Sequence, residues 1–146
     1  DSRTTDVLLA EEEELEKGYD SSKPSVLIID DNEDIRSYVH TLLHTDYTVI
    51  EAADGSEGIR KAMKYVPDLI ISDVMMPGMD GFEMIRRLRA NPDLSRMDII
   101  VVSAIDREEV VKRGLPADIT IFGKPIPFHE IKGFLLGRLA ARQRSA

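Results

Sequence analysis

The chain has 146 residues, a net charge of −8 and no cysteine, which is enough for one domain with a real core and too little for two comfortable ones. Its longest uninterrupted apolar runs are four residues, such as Val26–Ile29 and Ile99–Val102, far below a membrane span, and it shows no secretory signal pattern. Disulfides and thiolate metal sites are excluded; a reducing compartment is compatible with that without being required by it, and a cytoplasmic location is the expectation.

The charge is uneven. Residues 1–24 carry eight acids (Asp1, Asp6, Glu11, Glu12, Glu13, Glu14, Glu16, Asp20) against Arg3, Lys17 and Lys23, a net of −5, which leaves −3 for residues 25–146. A body so nearly balanced argues against direct nucleic-acid binding. Residues 1–24 are expected as an acidic leader or linker outside the domain at 25–146. Their charge favours a mobile or fraying segment, and a short ordered linker helix is the alternative.

From Ser25 onward, short apolar runs alternate with longer amphipathic ones. Val26–Asp30 reads as the first strand, and Ile35, Tyr38, Val39, Leu42 and Leu43 then fall on one stripe of a helix. Thr48–Ala52 is the second strand. Ile59, Ala62, Met63 and Val66 mark a second helix, stopped by Pro67. Leu69–Asp73 is the third strand, and Phe82, Ile85 and Leu88 mark a third helix that ends near Asn91-Pro92. Ile99–Ser103 is the fourth strand, followed by a short helix around Arg107–Arg113. Ile119–Phe122 is the fifth, followed by a helix carrying Phe128, Ile131, Leu135 and Leu139, with arginines in its last turns. Five strand–helix units in series predict a doubly wound α/β fold, a parallel sheet with helices on both faces.

Ligands of such sheets bind beyond the carboxyl ends of the strands. There the sequence places Asp30 and Asp31, Asp73, Ser103 and Lys124. Three carboxylates repel one another unless a cation or a proton relieves them. Hard oxygen donors with no His or Cys beside them suit Mg²⁺ or Mn²⁺. A carboxylate beside such an ion, with a lysine and a hydroxyl in reach, can attack phosphorus and give an aspartyl phosphate.

The stretches "VLIIDDNEDIR", "LIISDVMMPGMDGFEMIRRLR", "IIVVSA" and "FGKPI" together resemble the receiver domain of two-component response regulators, over residues 25 to about 140. The resemblance implies a flavodoxin-like five-stranded sheet of order 2-1-3-4-5 with five helices. It implies Asp73 as phosphoacceptor and Asp31 as a direct magnesium ligand. Asp30 would act through a water, and the Met75 carbonyl would be the backbone ligand. Ser103 matches the hydroxyl that turns toward the phosphoryl group and Lys124 the ion-pairing lysine, with Lys124-Pro125 expected as a cis peptide. The implied partners are a histidine kinase or histidine phosphotransfer domain, and a downstream protein on the face of the fourth helix, fifth strand and fifth helix; no membrane contact is implied. One position departs: Ile121 stands where the family often has Tyr or Phe, and Phe122 is expected to face the other way. Output is then expected to rely on backbone shifts of residues 104–116.

Simpler roles stand beside these. Strand-end aspartates can be helix caps, and Met75, Met76 and Met79 can be gap fillers around a turn. His40 and His44, at i and i+4, have a spacing that can bind zinc but no third ligand in sight. Glu11–Glu14 reads as a solvated face, and Arg138, Arg142 and Arg144 as helix-end charges. The competing functions are an aspartyl-nucleophile phosphohydrolase, disfavoured because Met75 stands where such enzymes carry a second acid, and an interaction module without chemistry. The start at Asp1 and the acidic leader lean toward the receiver of a hybrid sensor histidine kinase over a stand-alone single-domain regulator.

Overall fold

The computed structural model describes residues 22–75, 80–94, 97–116, 118–124 and 128–145. The strands are β1 (Ser25–Ile29), β2 (Thr48–Ala52), β3 (Leu69–Asp73), β4 (Asp98–Ser103) and β5 (Thr120–Gly123). The helices are α1 (Glu33–Leu43), α2 (Gly55–Tyr65), α3 (Gly81–Ala90), α4 (Arg107–Lys112) and α5 (Phe128–Ser145). All strand pairs are parallel, in the order β2-β1-β3-β4-β5. This is the doubly wound fold expected from the alternation.

β1 and β3 are buried at every position, as strands covered on both faces must be. One side of the sheet packs Leu27, Ile70 and Val101 against Ala62 of α2, Phe82, Ile85 and Leu88 of α3 and Val110 of α4. The other packs Val26, Ile28, Ile71 and Val102 against Val39 and Leu43 of α1 and Ile131 and Leu135 of α5. Ile121 joins the first cluster and Phe122 the second. Phe122 meets Phe134 edge-on at 5.8 Å. The two neighbours on β5 therefore face opposite ways, as expected.

Side-chain caps start the first three helices that rise from the rim. The Asn32 Oδ1 accepts from the Asp34 and Ile35 amides at α1, Asp54 from the Glu57 amide at α2 and Asp80 from the Phe82 amide at α3, each satisfying donors that a helix end leaves open. Gly81 is required by a close approach. A Cβ there would lie 2.5 Å from Cα of Val74 and 2.8 Å from its carbonyl oxygen, so only glycine lets α3 begin against the end of β3.

Three expectations need correction. The first strand ends at Ile29, leaving Asp30 outside the ladder. Met63 and Val66 are not core residues; they are 58% and 53% exposed, because α2 turns Ile59, Ala62 and Tyr65 to the core and Val66 is the C-cap beyond its last residue. Tyr38 is likewise half exposed, at the margin of the α1 stripe. Val66 adopts φ 44°, ψ 65°, a left-handed conformation that is costly for a β-branched residue. No helix among the described residues is long and apolar enough to cross a membrane. The expectations for residues 1–21, for the Met76–Met79 turn and for the Lys124-Pro125 peptide fall outside the described residues.

Candidate functional site

The sequence-predicted polar groups meet at the carboxyl edge of the sheet. Asp30 and Asp31 follow β1 directly, Asp73 ends β3, Ser103 ends β4 and Lys124 follows β5. One carboxylate oxygen from each of Asp30, Asp31 and Asp73 lies within 4.8 Å of the others. Asp30 and Asp73 are 3% and 5% exposed, while Asp31 faces solvent. The β1–β3 pairing brings the strand ends side by side, with Ile29 opposite Ser72.

Asp73 is held from two directions. Its Oδ2 accepts from Nζ of Lys124 at 2.7 Å, and its Oδ1 accepts from the Met75 amide at 2.9 Å. Lys124 is anchored in turn, because its amide donates to the Ser103 carbonyl at 2.9 Å. Parallel pairing sets Ser103 opposite Gly123, so lysine and serine arrive on adjacent strands. The Ser103 Oγ accepts from the Ile105 amide at 3.0 Å, which directs that hydroxyl to its own loop. Of Met75, the structure gives the amide contact to Asp73 and a side chain in solvent.

The charge distribution is tense. Burial pushes the Asp30 carboxyl above the ordinary aspartate value. The Asn32 amide, bonded to its Oδ1 at 2.9 Å, and the ammonium of Lys124 work against that, and the charges of Asp73 and Asp31 add to it. For Lys124, burial alone would lower the pKa. The hydrogen bond and charge of Asp73, with Asp30 and Asp31 behind it, outweigh burial and raise it. One ammonium thus faces three carboxylates. The donor set is all oxygen, the acids repel, and two of them are withdrawn from water. Such a set fits a small hard divalent cation, with Asp30, Asp31 and Asp73 as the side chains that would hold it.

Two contributors escaped the sequence reading. Asn32 both caps α1 and braces Asp30; its place just before the helical stripe was the available signal. Arg36 reaches back from α1 to the Asp30 carbonyl at 2.7 Å, and no periodicity marks that contact. His40 and His44 stack at 5.8 Å on the outer side of α1. Among the described residues the one cluster able to hold a metal is the aspartate triad.

A family model for the response regulator receiver domain matches residues 26–135. The sensor histidine kinase TmoS of Ectopseudomonas mendocina is 33% identical over 115 residues, which are 78% of this chain and 12% of that protein. The sensor kinase CckA of Brucella abortus is 38% identical over 124 residues, 82% of this chain and 13% of that protein. The chain thus spans a small part of these relatives. The structure of the chemotaxis protein CheY4 of Vibrio cholerae superimposes with a TM-score of 0.69 at 33% identity, covering 78% of this chain and 97% of that one.

Proposed function

Because this chain belongs to the response regulator receiver domain family, a family of phosphoacceptor signalling domains, we propose that Asp73 is its phosphoacceptor. Asp30, Asp31 and the Met75 carbonyl join Asp73 in holding Mg²⁺ or Mn²⁺. The observation that carries the reading is the buried Asp73 carboxylate, paired with Lys124 at 2.7 Å and crowded by two further acids. A carboxylate so placed is a nucleophile with its counter-charges already arranged.

A Asp73 oxygen attacks the phosphorus of a partner's phosphohistidine. The new O–P bond forms as the P–N bond breaks, and its electron pair leaves with the imidazole nitrogen. When bound, the divalent ion supplies charge neutralisation and a template for the phosphoryl oxygens. Lys124, already at the carboxylate, follows the charge onto a phosphoryl oxygen. Ser103 keeps a hydroxyl proton to donate there once its Oγ leaves the Ile105 amide. That exchange pulls on residues 104–116, the route by which phosphorylation would reach the face built from α4, β5 and α5. Ile121, packed inward, cannot serve as a rotating aromatic; the backbone of this segment carries the message to a downstream protein.

Receiver domains work with histidine kinases or phosphotransfer domains, and a cytoplasmic setting with residues 25–146 as the receiver and 1–24 as an acidic linker suits that exchange. Two sensor kinases of which the chain spans 12% and 13% favour a hybrid kinase as the parent, over a single-domain regulator. The domain catalyses its own phosphorylation and slow hydrolysis and turns over no metabolite.

The test is incubation with acetyl phosphate or phosphoramidate and Mg²⁺, read on a phosphate-affinity gel. A shifted wild-type band with an unshifted Asp73→Asn band is expected. An unshifted wild-type band, or an equal shift in the variant, overturns the assignment, and rapid turnover of small phosphomonoesters would restore the phosphohydrolase reading.

A further inference from the structure

Asp30 stands one residue beyond the β1 ladder. Its amide still pairs, donating to the Ala52 carbonyl of β2 at 3.1 Å, but its carbonyl has passed the last strand position. That carbonyl belongs to the peptide unit that joins Asp30 to Asp31. The backbone torsions on either side of this unit set the angle between the two carboxylates, so an unheld unit leaves that angle loose.

A guanidinium closes that freedom. Arg36, one turn into α1, donates from Nη1 to the Asp30 carbonyl at 2.7 Å, a charge-assisted bond in the short range. Its Nε lies 3.4 Å from Oε1 of Glu51, which sits on β2 beside Ile28 of β1. Arg36 is largely shielded, with 16% of its side chain exposed, whereas Glu51 keeps 36%. The planar fork therefore spans from the edge strand to the peptide between the two acids, an orientation that an ammonium on a flexible stem cannot hold.

We infer that Arg36 is a positioning residue for the acidic pair, fixing the Asp30–Asp31 peptide so that both carboxylates stay convergent, with Glu51 fixing Arg36 in turn. The inference rests on the reading of Asp30 and Asp31 as metal-holding groups, and adds two residues that touch neither the metal nor the phosphoryl group. Loss of Arg36 leaves a carbonyl at the end of a strand that water can solvate, so the fold changes little. The entropy of arranging the acids must then be met on binding, and metal affinity falls.

The experiment titrates Mg²⁺ into the full 146-residue chain, following amide NMR shifts, with Tm measured separately in EDTA. All titrations share one pH and buffer, so that His40, whose Nδ1 lies 3.7 Å from the other Glu51 oxygen, is the same in every arm. Arg36→Gln and Arg36→Lys are expected to weaken Mg²⁺ binding roughly tenfold, the scale of outer-shell changes, and Glu51→Gln by a smaller factor. Tm in EDTA should fall by less than about 4 °C. Arg87→Gln, which removes an equal charge from an exposed α3 pair, should bind as wild type does. Labelling by acetyl phosphate in the Arg36 variants should need more Mg²⁺ yet reach the wild-type rate at saturation, a split that a damaged fold would not give.

A wild type that binds no Mg²⁺ overturns the metal-site reading itself. A wild type that binds, with Arg36 variants that bind equally well, overturns only the positioning role. Affinity lost in proportion to Tm, or a rate that saturating Mg²⁺ fails to restore, overturns it as well. If Arg36→Gln does not fold, Arg36→Lys and Glu51→Gln carry the same comparison.

Discussion

Replacing Asp30 by asparagine should make the metal-free protein more stable and the metal-loaded protein less so. Asp30 is 3% exposed, and its carboxylate shares a 4.8 Å cluster with those of Asp31 and Asp73. At that separation each like-charge pair costs about 1 kcal/mol in bulk water and about 3.5 kcal/mol at an effective dielectric of roughly 20. The pair with solvent-facing Asp31 belongs near the lower figure, because water screens it. The variant also loses an attraction to Lys124, which offsets part of the relief. Asparagine keeps an oxygen for the Asn32 amide that now bonds to Oδ1 at 2.9 Å. The net gain without metal is about 1–2 kcal/mol, or roughly 3–8 °C in Tm for a domain of this size. With Mg²⁺ at a hundred times its Kd, wild type gains about 2.7 kcal/mol by mass action, and a variant short of one ligand gains far less. The two melting curves, recorded in EDTA and in excess Mg²⁺, should therefore exchange order. An Asp30→Asn protein that melts at or below wild type in EDTA, or gains as much from Mg²⁺, would refute the claim that these acids are held together against their own repulsion.

The raised Asp30 pKa sets a sign for pH. Its proton competes with the metal, so Mg²⁺ affinity should begin to fall above the ordinary aspartate range as pH is lowered. Without metal, a carboxyl whose folded pKa exceeds its unfolded one adds stability as pH drops through the folded value, and that gain is complete below the unfolded one. Calorimetric titration between pH 8 and 4 checks the first statement, and comparison of the pH dependence of Tm between wild type and Asp30→Asn in EDTA checks the second. Gly81→Ala should cost about 1–3 kcal/mol, since its Cβ would lie 2.5 Å from the Val74 backbone; urea unfolding measures this, and a neutral result would mean that α3 can shift. Val66→Gly should raise stability by up to about 1 kcal/mol, by relieving the left-handed φ of 44° at a partial cost in unfolded-state entropy; a loss of stability would show that Val66 is unstrained.

The sheet was legible because its central strands are buried on both faces, so that β3 reads as Leu69-Ile70-Ile71 with a serine and an aspartate at its end. The site was legible for a related reason. Ionisable groups at the tips of buried runs have few structural excuses, and parallel topology carries all five tips to one edge. Periodicity misled at Met63 and Val66, because the face that packs carries Ile59, Ala62 and Tyr65 and the helix ends before Val66. Arg36 was hidden because a long side chain can reach back six residues to Asp30, against the outward direction that its neighbours imply. Asp73 raised the question of its partner from the sequence alone, and the lysine that answers it stands 51 residues on.

The most direct test of the central claim is where the phosphorus goes. The chain is labelled with acetyl phosphate and Mg²⁺, the acyl phosphate is trapped by borohydride reduction, and the product is mapped by peptide mass spectrometry. The account predicts a single reduced residue at position 73, absent when EDTA replaces Mg²⁺ and absent in Asp73→Asn. Reduction at Asp30 or Asp31 instead, or label at position 73 that is indifferent to the metal, would contradict it.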